Sequence, residues 1–238
     1  GNVYYLCGVG EKMSAAFRVR VRGRSGHASM PSIADNALVK AARYLEALDR
    51  FEPPQEMLPQ VQAFLQTVLG EVPPLEDALD RARMLHPLAA ELVEPLLSLT
   101  LSPTMIEASR QRNVIPASCT ITVDCRLLPG QTPQAVEPLL RAALGAGEWE
   151  LEWIEEDQAG GTSSPLETPL WRTLQEWVGR LEPGARLAPI LSSGFTDSHY
   201  LREAFGTVAY GFFPLKAMDV ELAARLVHSA DERIAADD

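Results

Sequence analysis

The chain has 238 residues, 46% hydrophobic and 22% charged, with a formal net charge of −11. That is globular composition, long enough for one large domain or two small ones. The acidic balance disfavours nucleic acid and anionic membrane as partners, and no apolar run approaches the roughly 20 residues that cross a bilayer.

Three cysteines give no even disulfide framework. Cys119 and Cys125 fall on one alternating stretch, about 20 Å apart if extended, too far to bridge. With no start methionine and no signal-peptide pattern ahead of the apolar run Val3-Tyr4-Tyr5-Leu6-Cys7, a reducing, cytoplasmic compartment is the expectation.

Residues 17–22, Phe-Arg-Val-Arg-Val-Arg, alternate strictly, which predicts a half-buried strand with three arginines on its open face. The loop Gly23-Arg24-Ser25-Gly26-His27-Ala28-Ser29-Met30-Pro31 follows; its glycines and proline exclude regular structure. Residues 33–48 carry apolar side chains at helical spacing, with Ser32 as a candidate cap. Residues 51–97 are proline-rich but keep an apolar stripe through Val61, Phe64, Leu65, Val68 and Leu69, so they predict a helical insertion rather than a linker. His86 in this stretch is most simply a surface residue.

A second strand is predicted over 99–109, a turn or bulge over 110–116, and a third, alternating strand over 117–126 that ends at Pro129-Gly130. Thr132-Pro133 opens a helix as cap and first residue; Pro138 inside it predicts a kink or a later start. Residues 148–153 alternate again. The order strand, helix, insertion, strand, strand, helix, strand is that of a split β-α-β-β-α-β sandwich. There the first and last strands are antiparallel neighbours, so Arg18, Arg20 and Arg22 would face Glu148, Glu150 and Glu152, at roughly 0.2–1 kcal/mol per pair.

Residues 156–165 form a polar, glycine-containing break. Beyond it come a helix capped by Thr168-Pro169, a strand near 187–191, the turn Ser192-Ser193-Gly194-Phe195-Thr196-Asp197, a short helix with His199 read as surface or supporting, and a strand at 207–213. This is α/β alternation with too few strands to bury both faces of a sheet. A domain boundary is therefore expected at 156–165.

Polar residues of catalytic type gather in a few turns: Gly26-His27, Arg112-Asn113-Val114-Ile115-Pro116, Val123-Asp124-Cys125-Arg126-Leu127-Leu128-Pro129-Gly130, Gly194-Phe195-Thr196-Asp197-Ser198, and His228-Ser229-Ala230-Asp231-Glu232-Arg233-Ile234. With Gly10-Glu11-Lys12, they stand in the order found in one family. The chain resembles the zinc metallopeptidases of the aminoacylase, carboxypeptidase G, acetylornithine deacetylase and succinyl-diaminopimelate desuccinylase group. The resemblance implies a ferredoxin-like lid, or dimerisation, domain over 14–155. It also implies the end of the first part of the catalytic domain over 1–13 and its C-terminal part over 156–238.

The resemblance further implies hydrolysis of an amide bond in a small N-acyl amino acid or peptide by zinc-activated water. His228 would be a metal ligand. His27 would reach from one subunit's lid into the partner's active site and stabilise the oxyanion; read alone, it is a solvent-facing loop histidine. Asn113 and Arg126 would bind the substrate carboxylate and neighbouring oxygens, with an ion pair across the strands as the competing reading of Arg126. Gly194 and Thr196 would line the pocket, with a helix cap as the simpler reading. Two zinc ions per site are implied, yet the other ligands and the glutamate base would precede Gly1, and Glu11 sits downstream of the acidic ligand. This chain alone is therefore expected to be inactive, and a homodimer through the lid is expected because an exposed edge strand needs covering. The alternative is a non-catalytic dimerisation or small-ligand-binding module.

Overall fold

The computed structural model describes residues 3–215, 217–226 and 229–238. In chain order the elements begin with the strands β1 (Tyr4–Glu11), β2 (Met13–Ser14), β3 (Phe17–Arg22) and β4 (Gly26–His27). The helices α1 (Ala37–Asp49), α2 (Pro59–Leu69), α3 (Ala78–Leu85) and α4 (Pro87–Val93) come next, followed by β5 (Thr100–Glu107), β6 (Val114–Ile115), β7 (Ser118–Leu127), α5 (Pro133–Leu144) and β8 (Trp149–Trp153). The chain continues through β9 (Ala159–Gly160), α6 (Pro169–Leu181), β10 (Arg186–Ser192), α7 (Ser198–Phe205) and α8 (Val220–Leu226).

The alternation at 17–22 does what its period demands. Phe17, Val19 and Val21 are buried, and across the ladder Cys119, Ile121, Val123 and Cys125 of β7 meet them on the same face. The four long lid strands lie in the order β8-β3-β7-β5, all antiparallel, the order of a split β-α-β-β-α-β domain. Ala37, Ala41, Tyr44 and Leu48 of α1 and Val136, Leu140 and Leu144 of α5 complete that core.

The open face carries the charges. Arg20 reaches Glu152 at 3.4 Å and Arg22 reaches Glu150 at 2.8 Å, while Glu148 is taken by Lys40 of α1 at 2.6 Å rather than by Arg22. Arg22 instead donates its backbone N–H to the Glu148 carbonyl.

Local structure departs from expectation at four places. α1 starts four residues later than its periodicity suggests and is capped by the Asn36 side chain, which accepts from Leu38 N–H and Val39 N–H; Ser32 lies in a short 3-10 turn. Arg24 and Asp35 exchange two backbone hydrogen bonds, which hold Asp35, just before the cap, in an extended bridge. α5 begins at Pro133 with the Thr132 cap as predicted, and it runs on through Pro138. Residues 207–213 form no strand; Gly211 alone bridges Gly8. His199 is buried rather than exposed.

A second core lies under the parallel pair β1–β10. Tyr5, Cys7 and Val9 pack there with Leu187, Ala188 and Leu191, with Trp171 and Val178 of α6, and with Val61, Phe64, Leu65 and Val68 of α2. The insertion thus interrupts the lid in sequence but places its apolar stripe on the other core. The reason is the sequence of its faces: its buried side chains match the apolar strands β1 and β10, whereas the lid's helix face is already filled by α1 and α5.

Candidate functional site

β4 and β6 form a two-stranded ribbon, with Gly26 opposite Ile115 and His27 opposite Val114, and Ala28 N–H donates to the Asn113 carbonyl at 2.9 Å. His27 and Asn113 are therefore neighbours, and both are exposed. Glycine is required at the root of this ribbon: a Cβ on Gly23 would stand 2.3 Å from the Asp35 carbonyl oxygen. Ser29 N–H donates to His27 Nδ1 at 3.3 Å, with the Ser29 hydroxyl 2.8 Å from the same nitrogen. An Nδ1 that accepts leaves the proton of a neutral ring on Nε2, which then faces outward as a donor.

Arg126 stands at the other end of the lid. It lies opposite Ser14 and Thr100, and its Nε and Nη2 donate to the two carboxylate oxygens of Asp124 at 2.8 and 2.9 Å. The pairing is within β7, two residues apart, rather than across strands. It engages one edge of the guanidinium and leaves Nη1 to meet another acceptor. From Arg126 to Ser118 is eight residues of extended chain, roughly 27 Å, and His27 lies beyond Ser118. His27 and Arg126 of one chain thus sit at opposite ends of the lid.

The polar side chains nearest the Arg126 end surround the point where the chain enters and leaves the lid. Residues 9–14 run antiparallel to residues 159–164: Ser14 pairs Ala159, Met13 pairs Gly160, Glu11 N–H donates to the Thr162 carbonyl, and Ser164 N–H donates to the Val9 carbonyl. The Glu11 carboxylate is 1% exposed and the Arg202 side chain 7%. Arg202 Nη1 donates to both Glu11 oxygens at 2.8 Å. Thr162 Oγ1 donates to Oε1 at 2.5 Å and Thr196 Oγ1 to Oε2 at 3.2 Å. Arg202 also donates to Ser164 Oγ and to the Ala209 carbonyl.

Neither Thr196 nor Asp197 caps α7 through its side chain; the Thr196 backbone carbonyl accepts from His199 N–H. A Cβ on Gly194 would meet nothing within 4 Å, so the backbone there is open to an approaching group. His199 Nε2 lies 3.3 Å from Glu203, and its Nδ1 has no partner among the described residues.

Lys12, next along the entering strand, is fully buried. Its Nζ donates to the Pro95 and Ser98 carbonyls and to Thr100 Oγ1 at 2.7, 2.9 and 3.2 Å. Burial lowers its pKa to about 8. The same physics drives Cys7 and Cys125 up to about 12, keeping both thiols protonated.

His228 lies outside the described residues. Among the described residues no three His, Cys, Asp or Glu side chains converge as a metal centre would need. They do not by themselves fit a zinc pair. The sequence pointed to His27, Asn113, Arg126, Gly194 and Thr196, and the structure collects them into two groups, ribbon and lid entrance. It adds Arg202, Thr162 and Ser164, which carried no signal: an arginine in the last turn of a short helix reads as a surface residue. His86 is exposed and caps α4, accepting Leu88 N–H on Nδ1.

Residues 9–148 match the family described as the peptidase dimerisation domain of M20 enzymes. The chain is 26% identical over 244 residues to the human N-fatty-acyl-amino acid synthase/hydrolase PM20D1, covering 96% of this chain and 47% of that protein. It is 30% identical over 122 residues to the acetylornithine deacetylase of Myxococcus xanthus, covering 51% of this chain and 24% of that protein. Among solved structures, human carnosine dipeptidase 1 superposes with a TM-score of 0.59 at 14% identity, over 87% of this chain and 50% of that one. The chain spans about half the length of the full-length human relative, and it belongs to the M20 peptidase family, whose dimerisation domain is the lid described above.

Proposed function

We propose that this polypeptide supplies the lid and the C-terminal part of the catalytic domain of a metal-dependent amide hydrolase, and that two copies share their active sites through the lid. The substrate is a small N-acyl amino acid or peptide with a free carboxylate. The observation that carries this reading is the separation along β7. A donor histidine at one end and a carboxylate-binding arginine at the other cannot serve one pocket within one chain, but they serve one pocket across a twofold dimer.

In this reading Arg126, Gly194 and Thr196 belong to the pocket of their own subunit. Arg126 offers the guanidinium edge that Asp124 leaves open to the substrate carboxylate. His27 and Asn113 are delivered together by the ribbon to the partner's pocket, where the Nε2–H of His27 donates to the developing oxyanion. A zinc pair, when bound, would supply the activated water. His228 would be this chain's ligand to it, and the remaining ligands and the general base would come from outside these 238 residues. The chain by itself is then inactive.

The dimer contact falls on the free edge of β5 and the adjoining flank of α1. Ile106 lies opposite Ile121, on the helix-bearing face, and is 47% exposed; Val39 of α1 is 68% exposed. An unpaired edge with apolar residues beside it is a surface built to be covered. Three buried, unpaired thiols suit a reducing compartment.

The test uses the longest native product of the same gene, assayed on N-acyl amino acids with zinc content measured in parallel. His27→Ala and Arg126→Ala should each abolish turnover. Mixing the two purified variants under conditions that exchange subunits should restore roughly a quarter of wild-type activity, because half the dimers then hold one intact site. Two inactive variants that stay inactive after verified exchange would place both residues in one subunit's site. No hydrolysis by the native product at all would leave the lid as a dimerisation or ligand-binding module.

A further inference from the structure

Glu11 is buried at the midpoint of the ribbon through which the chain enters and leaves the lid, yet its carboxylate touches more than that ribbon. Oε1 accepts from Thr162, on the returning strand of the ribbon, and Oε2 accepts from Thr196, in the turn after β10. Arg202 Nη1 spans the two oxygens at 2.8 Å and holds them in a fixed orientation. One rigid group thus has two clients, one at the lid entrance and one in the turn that carries Gly194 and Thr196.

A second contact ties the same two places together without any charge. Gly160 lies on the returning strand with φ +94°. A Cβ there would stand 2.5 Å from the Lys12 carbonyl oxygen and 2.7 Å from Phe195 Cβ. The turn therefore rests on the ribbon where only glycine leaves room, and Phe195 immediately precedes Thr196. A swing of the lid about the ribbon would move Gly160 and Thr162, and neither can move without disturbing Phe195 or the carboxylate that holds Thr196.

We propose that Glu11 is a positioning residue: clamped by Arg202, it locks the Gly194–Thr196 turn to the lid entrance, so that lid orientation and the shape of that turn change together. A buried carboxylate that accepts four hydrogen bonds from three donors has no spare lone pair for substrate, so its action runs through the threonines. That the turn contacts substrate rests on the proposed function; the coupling of turn and ribbon does not.

Amide hydrogen exchange on the 238-residue chain reads the coupling directly, because the reporting amides are separate. Glu11 N–H and Ser164 N–H report the ribbon, His199 N–H reports the turn through the Thr196 carbonyl, and the β3–β7 ladder reports the lid core. Thr196→Val should speed exchange at His199 about tenfold or more, as loss of a hydrogen bond to a charged acceptor implies, with the ribbon unchanged. Thr162→Val should do the converse. Glu11→Gln should speed both by more than it speeds the β3–β7 ladder, whose exchange reports the loss of global stability.

A merely structural role would instead raise exchange at ladder, ribbon and turn by one common factor, and that pattern, or a Glu11→Gln chain that moves neither reporter beyond the ladder, overturns the proposal. Should Glu11→Gln fail to fold, the two threonine variants decide alone: an unchanged His199 amide in Thr196→Val refutes the lock. Exchange as expected in a protein whose native gene product hydrolyses no amide would refute the substrate reading and leave the lock standing.

Discussion

At the His27 end of β7 the polar side chains reach into solvent, whereas at the Arg126 end they turn inward and are satisfied by one another. The ribbon of β4 and β6 has two residues per strand, of which Ile115 alone is buried. Among the described residues the His27 imidazole is held by the serine two residues on and by nothing more distant. At the lid entrance Glu11, Arg202, Thr162, Thr196 and Ser164 close a network in which each member has at least one partner from another segment of the chain. Each end thus finds its counterpart in a different place. An end completed from within is a joint; an end left open fits the proposed role of reaching the pocket of a second copy.

The sharpest way to break that contrast is to remove one charge from the joint. Glu11→Gln leaves a buried guanidinium without its counter-ion, a change that costs about 3–5 kcal/mol where one partner of a buried pair is lost. Urea unfolding of the 238-residue chain should show a loss in this range. A loss under about 1 kcal/mol would mean that Arg202 finds another acceptor or water, and that the joint is no better fastened than the open end.

The joint is also where pH should act, through its neighbour Lys12. Burial holds this lysine near pKa 8, against 10.5 for the free side chain, with Asp124, Arg126 and the Cys125 thiol around it. Between pH 8 and 10.5 the unfolded chain carries more protons on this residue than the folded chain does. Its contribution to stability therefore rises with pH, by an amount on the order of 3 kcal/mol over the full range. Cys7 and Cys125 act in the opposite sense: the unfolded chain sheds thiol protons from about pH 9, the folded chain only near 12, so they lower stability as pH climbs above 9.

The difference in unfolding free energy between wild type and Lys12→Met cancels Cys7 and the burial effect on Cys125, and leaves the lysine with its charge coupling to the Cys125 thiol. It should grow in favour of wild type from pH 7.5 to 10. A flat difference would mean that three oxygen acceptors keep the ammonium charged despite its burial.

Much of the lid was legible because its strands alternate and its helices carry caps. Phe17, Val19 and Val21 name a face by period alone, Thr132-Pro133 names a helix start, and arginines on one strand with glutamates on another name a neighbour. What escaped was set by contacts distant in sequence. The Asn36 cap depends on Arg24 pairing with Asp35 across the His27 loop. The packing of α2 on β10 joins segments more than a hundred residues apart. Residues 207–213 look like a strand by composition, yet only Gly211 comes within reach of Gly8. His27, Asn113, Arg126, Gly194 and Thr196 were singled out through the order of short motifs. Arg202 could not be found this way, since its importance lies in a partner 191 positions earlier.

The smallest expected effects belong to the open end, and they complete the contrast. Arg22 and Glu150 form an exposed pair on the sheet's outer face, of a kind that contributes at most about 1 kcal/mol and loses it to screening as salt rises. The His27 side chain has no long-range partner among the described residues. His27→Ala should change unfolding free energy by no more than about 0.5 kcal/mol, and Arg22→Ala by slightly more at low salt, with the difference vanishing at high salt. A loss above about 1.5 kcal/mol in His27→Ala would show that the imidazole braces the ribbon against the rest of its own lid. The ribbon would then be part of the fold, and the case for a histidine held ready for a partner's pocket would lose its physical basis: a residue kept in place by selection for stability needs no second site to explain it.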